Sequence, residues 1–366
     1  MRMGREAVAG RRAVEAPAAR ARARRRLPRI AAAALWIGAA APAPALAQAQ
    51  GETPRPAPAA AAESAGGAAA PAPHGFSLQN ARVPAEHVVA GGPKKGAIEA
   101  VDAPTFVAVE EAAWVAPDTP VLGVAHGGDA RAYPVHVIER HQIVNDVVGG
   151  TPIAVTYDPL AGAPAAWERR VDGRVLELGV AGLLYNGNFL FFDRATESLW
   201  SQLRGEAVAG ALAGRRLARV RIRQETMASW LARHPGSRVL APPSDRVDYR
   251  QSPYRLYWVE DRIPWRVDAR DERFHAKEVV LGVRRGGRAR AYLGSLVTAA
   301  GGVVDDELDG RRIRLEYSSR HAVFRYEIPD DVEVQEAYWF AWKAFHPDTE
   351  IWNDPGGEAP PPERPR

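Results

Sequence analysis

The chain contains the stretch VLGVAHGGDARAY at residues 121–133, and it returns later as VLGVRRGGRARAY at residues 280–292. Each copy has a short apolar run, a Gly-Gly pair and a second run that ends in tyrosine. Glycine adopts the positive φ angles of a tight turn at little steric cost, so each copy predicts two antiparallel strands joined by a Gly-Gly turn. Similarity at a fixed spacing also predicts an internal duplication.

Two further echoes extend this duplication. Asp146 aligns with Asp305, and with a one-residue slip the segment 150–157 aligns with the segment 310–317 as another strand. A Trp-x-x-x-His-Pro motif, which starts at Trp230, also recurs. These echoes indicate that the similarity covers most of two halves.

The His-Pro motifs predict the ends of two short amphipathic helices, at residues 224–233 and 336–345, because proline disfavours helix in the residue before it. The first half spans about 103–240 and the shorter second half about 279–352. We therefore predict an α+β fold that is strand-dominated, with two related halves from an internal duplication packed as one folded unit over 76–354.

Charge is distributed unevenly along the 366 residues. The formal net charge is +4, but residues 1–47 hold ten arginines and two acidic residues. The remaining chain therefore has 38 basic and 42 acidic side chains. Its net negative charge disfavours a nucleic-acid partner, although the whole-chain pI of 9.4 suggests one.

The first 47 residues have the three parts of a secretory signal peptide. A basic segment precedes an apolar run at 30–41, and the small-residue triplet Ala45-Leu46-Ala47 follows. We predict export to the periplasm or the extracellular space, with no transmembrane segment apart from this signal peptide. Residues 48–75 are rich in alanine and proline and predict a disordered linker, and 355–366 predict a disordered tail.

The chain contains no cysteine. Disulfides, thiolate nucleophiles, iron–sulfur clusters and cysteine-ligated zinc are therefore excluded.

Polar residues that the first half carries and the second lacks are candidates for a functional site, because scaffold positions are expected in both halves. The candidate ligand-binding residues are His141, Asn145, Asp146, Asp158, Tyr185, Asn186, Trp200, Ser201 and Gln202. Aromatic faces and amide groups suit a polar ligand held by stacking and hydrogen bonds. Trp200 also fits a core position, and Asn186 before a glycine also fits a turn.

A metal-dependent site is the alternative interpretation. His141, Asp146 and Asp158 offer the nitrogen and oxygen ligands that a divalent metal accepts. The chain lacks the H-E-x-x-H and G-x-S-x-G motifs of metalloproteases and serine hydrolases. Two basic strips, at 215–223 and 284–290, suit solvated strand faces or contact with an acidic partner.

Several segments together resemble one known family. They are residues 130–134, 141–146, 182–186, 198–202, 338–342 and 346–349. Over about 103–352 the chain resembles the bacterial and archaeal family of domain of unknown function 3179. The resemblance implies an exported protein and brings no established activity.

The chain departs from this family at residues 158–162. Members typically show Cys-Pro-Leu-Cys-Gly, and this chain has Asp-Pro-Leu-Ala-Gly. A Cys-x-x-Cys loop beside a histidine suits soft-metal or redox chemistry, which this chain cannot perform in the same way. Either Asp158 supplies a harder ligand, or the protein is a binding or structural descendant.

We therefore predict an exported, non-catalytic protein without a cofactor, which binds a small polar ligand or a periplasmic protein through one polar site in the first half. The alternative is a periplasmic enzyme that holds a divalent metal at His141, Asp146 and Asp158.

Overall fold

The structure is a computed structural model that describes residues 73–354. The expected signal peptide (1–47), nearly all of the expected linker (48–75) and the expected tail (355–366) lie outside these residues. Within 73–354, no helix has the length and apolar character needed to cross a lipid bilayer.

Strands account for most of the regular structure. The first are β1 (Val88–Ala90), β2 (Phe106–Val107), β3 (Pro120–His126), β4 (Asp129–Pro134), β5 (Ile143–Val148), β6 (Thr151–Asp158), β7 (Ala163–Glu168), β8 (Arg170–Val171), β9 (Arg174–Val175), β10 (Leu178–Tyr185), β11 (Asn188–Asp193) and β12 (Leu199–Ser201). They continue with β13 (Glu206–Ala209), β14 (Ala218–Val220), β15 (Arg223–Thr226), β16 (Arg238–Leu240), β17 (Val279–Arg285), β18 (Arg288–Leu293), β19 (Val303–Leu308), β20 (Arg311–Ser318), β21 (Val323–Glu327), β22 (Glu333–Tyr338) and β23 (Glu350–Ile351).

The helices are short. They are α1 (Val135–His141), α2 (Met227–Arg233), α3 (Arg255–Val259), α4 (Gly294–Ala299) and α5 (Trp339–Phe345), with 3₁₀ turns at Pro73–Gly75, Ala85–His87 and Val109–Glu111.

Five sheets form the blades of a five-blade β-propeller. Blade 1 has the strand order β15-β3-β4-β16-β2, blade 2 has β14-β7-β6-β5, and blade 3 has β1-β10-β11-β12-β13. Blade 4 has β22-β17-β18-β23 and blade 5 has β19-β20-β21, while β8 and β9 form a separate two-stranded ribbon.

The expectation of an α+β fold with two related halves is therefore wrong. Strand makes up 41% of the structure and helix 15%, and the α-helices are no longer than seven residues. Blade 3 takes four of its strands from residues 178–209, between the two similar segments, so the architecture does not divide into two. Local similarity identified strands and turns, but the grouping of sheets depends on distant pairings.

Both Gly-Gly segments form antiparallel hairpins, β3–β4 and β17–β18. A third glycine in each hairpin leaves room for a tryptophan ring. A Cβ atom on Gly123 would lie 2.2 Å from the Trp230 ring, and one on Gly282 would lie 2.2 Å from the Trp342 ring. Each tryptophan can pack on its hairpin only because the strand lacks a side chain at that position.

Strand pairing corrects the alignment at Asp146. This residue lies opposite Ile153, and Asp306, not Asp305, lies opposite Ile313. The Tyr133 hydroxyl donates to Asp146 at 2.6 Å, and the Tyr292 hydroxyl donates to Asp306 at 2.7 Å. Asp306 is therefore the structural counterpart of Asp146.

Both His-Pro helices begin later than expected. They start at Met227 and Trp339, because the residues before them belong to strands β15 and β22. Their ends, at Arg233 and Phe345, agree with the expected ends.

Candidate functional site

Two candidate residues, Asp158 and Gln202, belong to one buried hydrogen-bond network with Asn188 and Thr156. The Nδ2 atom of Asn188 donates to Asp158 Oδ2 and to Gln202 Oε1, both at 2.8 Å. Gln202 Nε2 donates to Thr156 Oγ1 at 3.0 Å, and all four side chains are fully buried. Because these groups satisfy one another between blades 2 and 3, the network acts as a structural joint.

The loop that begins at Asp158 is covered by other parts of the chain. The Tyr257 hydroxyl on α3 donates to the Leu160 carbonyl at 2.8 Å, and the Tyr338 amide donates to the Ala161 carbonyl at 2.7 Å. Burial raises the pKa of Asp158 to about 6, although hydrogen bonds from the Phe189 amide and other donors oppose the rise. The loop offers no open face for a ligand at this carboxylate.

Trp200 and Ser201 lie in the interior of blade 3. The Trp200 ring stacks on Phe191 with centroids 6.3 Å apart, and its Nε1 atom donates to Asp193 at 3.2 Å. The Ser201 Oγ atom is buried with no hydrogen-bond partner among the described residues. Trp200 therefore has the core position that its alternative interpretation implied.

Asn145 is a second joint between blades 2 and 3. Its Nδ2 atom donates to Asp102 at 2.7 Å and to the Leu178 carbonyl at 2.9 Å, while its Oδ1 atom accepts from the Leu178 amide. Asn145 and Asp158 thus both contact blade 3. Their presence in the first half alone is therefore explained by these contacts with blade 3.

His141 and Asp146 each have their own partners. His141 Nδ1 donates to the Glu99 carbonyl, and its Nε2 atom lies 2.8 Å from the Tyr249 hydroxyl. Burial raises the pKa of Asp146, which accepts hydrogen bonds from Tyr133 and from the Val147 amide.

The proposed metal ligands are therefore not brought together. His141, Asp146 and Asp158 share no hydrogen-bond partner, and no three His, Cys, Asp or Glu side chains within 73–354 are arranged to hold a metal ion. The metal alternative gains no support from the geometry.

The remaining candidates, Tyr185 and Asn186, open onto a cavity of about 550 Å³. Blades 2, 3 and 4 and helix α5 contribute to it. We call it the arginine groove, and its polar and aromatic lining residues are Arg204, Arg216, Arg219, Arg284, Glu333, Gln335, Asn186, Trp167, Tyr185, Trp342, Phe345 and His346. Asn186 also forms the β10–β11 turn with φ 52°, so its turn interpretation holds as well.

Arg219 is the half-buried cation of the groove. Its NH2 atom donates to the Val334 carbonyl at 2.8 Å and to Gln335 Oε1, both neutral acceptors. Its guanidinium lies over the Trp167 ring, 5.4 Å from the centroid. Burial lowers the pKa of Arg219, but an arginine stays charged at neutral pH, so the groove holds a partly dehydrated positive charge.

Charge in the groove is positive overall. Four arginines and one acidic residue, Glu333, line it within the described chain, and the buried Glu206 pairs with Arg204 and Arg216, which leaves a surplus of two positive charges. Burial lowers the pKa of His346 to about 4, with Arg284 and Arg219 adding to the effect, so this ring is neutral at physiological pH. An anion is therefore the ligand that the groove favours electrostatically.

The sequence analysis placed three of these arginines in two basic strips on strand faces and did not single out Arg204. Arg216 and Arg219 come from the first strip and Arg284 from the second, and they meet because blades 2 and 4 are neighbours at this groove. Nothing in one sequence shows that pairing.

Comparisons with known proteins give one match. A family model described as "Protein of unknown function (DUF3179)" matches residues 95–334. The match ends before segments 338–342 and 346–349, on which the resemblance drawn from the sequence also relied. No curated protein and no solved structure matches the chain.

Proposed function

We propose that this chain, which belongs to the DUF3179 family of proteins of unknown function, is a non-catalytic binding protein that holds an anionic ligand in the arginine groove. The observation that carries the proposal is the surplus of guanidinium groups over carboxylates in one accessible cavity. A cavity of about 550 Å³ is the size of a small-molecule site.

A binding role is supported over catalysis by how the polar candidates are used. The side chains of Asp158, Asn145 and Gln202 form hydrogen bonds that join blades 2 and 3. His141 forms hydrogen bonds with Glu99 and Tyr249. A general base or nucleophile would need a free lone pair or proton facing the ligand. Groove residues supply charge and aromatic surface instead.

Titration with sulfate tests the proposal, because this anion keeps its double charge across the working pH range. We expect saturable binding by calorimetry, weakened by added salt, and about tenfold weaker binding in Arg219→Gln. Arg312→Gln is the control for loss of a guanidinium group outside the groove, since Arg312 is exposed on blade 5 and pairs with Asp305. Equal binding by wild type and Arg219→Gln, or no binding at all, would overturn the proposal.

Export remains part of the proposal and is supported by the residue pattern of 1–47. A fusion of residues 1–60 to alkaline phosphatase, which is active only outside the bacterial cytoplasm, tests it. We expect activity that is lost with Leu35→Arg in the apolar run and kept with Ala59→Arg in the linker. An inactive parent fusion would contradict export.

A further inference from the structure

The groove holds two separate groups of charge. The first lies around Glu206 on β13, whose side chain is 5% exposed and lies behind the groove lining. Its Oε1 atom accepts from Arg82 Nε at 3.2 Å, and its Oε2 atom accepts from Arg216 NH2 at 2.8 Å and Arg204 NH2 at 3.3 Å. Arg82 does not line the groove, so the two lining guanidinium groups, those of Arg204 and Arg216, exceed this carboxylate by one positive charge.

The second group lies on blades 2 and 4. Arg284 pairs with Glu333 at 3.2 Å, and these residues face each other across β17 and β22. Arg219 adds a charge that its neutral acceptors do not cancel. This group has a surplus of one positive charge.

Phe345 and His346 are the partly exposed rings of the groove lining. Trp167 and Trp342 are buried, with the Arg219 guanidinium over Trp167 and the His346 ring tilted against Trp342 at 4.0 Å between ring centroids. Phe345 and the neutral His346 ring therefore offer uncharged surface to the middle of a ligand.

The arginines of the first group are already positioned. Each is hydrogen-bonded to the same buried carboxylate, so an incoming anion would order few side chains, and preorganisation of this kind strengthens binding. Arg216 nevertheless keeps a side-chain exposure of 68%, which leaves it accessible.

We infer that the ligand of the arginine groove is a small molecule with two anionic groups, one at Arg204 and Arg216 and one at Arg219 and Arg284, joined by an uncharged middle that lies against Phe345 and His346. This inference rests on the proposed function and names its ligand class. Phosphate and carboxylate share the required chemistry, and the test below separates them.

The test compares probes that differ in one anionic group. Calorimetry at constant ionic strength would measure glucose 1,6-bisphosphate against glucose 6-phosphate, and glucarate against gluconate. We expect each doubly substituted probe to bind at least about tenfold more tightly than its partner. The phosphate pair and the carboxylate pair then show which anion the groove prefers.

Two single variants locate the second anionic group. Arg216→Gln and Arg284→Gln should each reduce the affinity for the doubly substituted probe to that for the singly substituted one. Arg312→Gln, with a side-chain exposure of 70%, is matched to Arg216 and should change neither. Both altered residues are substantially exposed, so we expect folding to be unaffected.

Failure of the inference is distinguishable from failure of the function. Equal affinity for singly and doubly substituted probes, with Arg219→Gln still weakening both, would overturn the two-anion ligand and leave an anion site in place. Absence of binding by every probe and by sulfate would overturn both.

Discussion

Glu336 is a buried carboxyl whose ionisation opposes folding. Burial raises its pKa to about 8, and the neighbouring Glu225 adds to the rise, while a hydrogen bond from the Gln224 amide lowers it. Its Oε2 atom has no hydrogen-bond partner among the described residues. The folded protein therefore binds a proton here between pH 4.5 and about 8, where the unfolded chain does not.

We expect the free energy of unfolding to fall as the pH rises from 6.5 to 8, because the folded state binds more protons in this window. Glu336→Gln removes this proton and should flatten the fall by up to about 1.4 kcal/mol per pH unit. Burial also raises the pKa of Glu139, to about 7, so some slope should remain. Urea unfolding at several pH values measures the slope.

Glu316→Gln is the control for this substitution, since Glu316 is exposed on β20. Identical slopes in wild type and Glu336→Gln would contradict a protonated Glu336 in the folded state.

At the residue scale, the sequence identified polar side chains that only the first half carries, but it did not predict their roles. Asp158 and Asn145 stood out because the second half lacks them, and the structure places them at contacts with blade 3. In a single sequence, a polar residue that joins two blades cannot be told from a polar residue that binds a ligand. Only the partners, which lie far along the chain, separate the two roles.

Gly187 shows what the β10–β11 turn requires. Its φ is +73°, and a Cβ atom there would lie 2.5 Å from both Phe340 Cε2 and Trp265 Nε1. Gly128, in the β3–β4 turn, has φ +83° and nothing within 4 Å of the same added atom. The two glycines share a backbone conformation and differ only in their surroundings.

We expect Gly128→Ala to lower the free energy of unfolding by about 1 kcal/mol, through backbone strain alone. Gly187→Ala should cost a further 1–3 kcal/mol or so, because rigid rings must shift to admit the methyl group. Chemical denaturation of both variants measures the difference. Equal losses would show that the packing around the β10–β11 turn is looser than described.

At the element scale, local signals succeeded where neighbours in sequence decide the structure. The Gly-Gly hairpins and the His-Pro helix ends were predictable, because turns and caps depend on a few adjacent residues. Helix starts were not predictable, because the polar and apolar residues at 224–226 and 336–338 fit either a helix or a strand. In the structure these residues pair as strands. The one-residue error at Asp305 arose because only pairing across β19 and β20 fixes the register.

For the whole molecule, the number of blades could not be predicted from the two similar segments. Blade 3 combines β1, from residues 88–90, with strands from 178–209, and this long-range pairing has no local signature. The same holds for the arginine groove, whose lining comes from 167 to 346. Family membership was predictable, because it depends on motifs rather than on contacts.

A crystal soaked in selenate tests most directly whether the arginine groove is the anion site. Selenate is a tetrahedral dianion, and anomalous scattering locates its selenium atom. We predict selenate in the arginine groove, within hydrogen-bond distance of the guanidinium groups of Arg204 and Arg216 or of those of Arg219 and Arg284. Ordered selenate elsewhere on the protein, with none in the groove, would contradict the account.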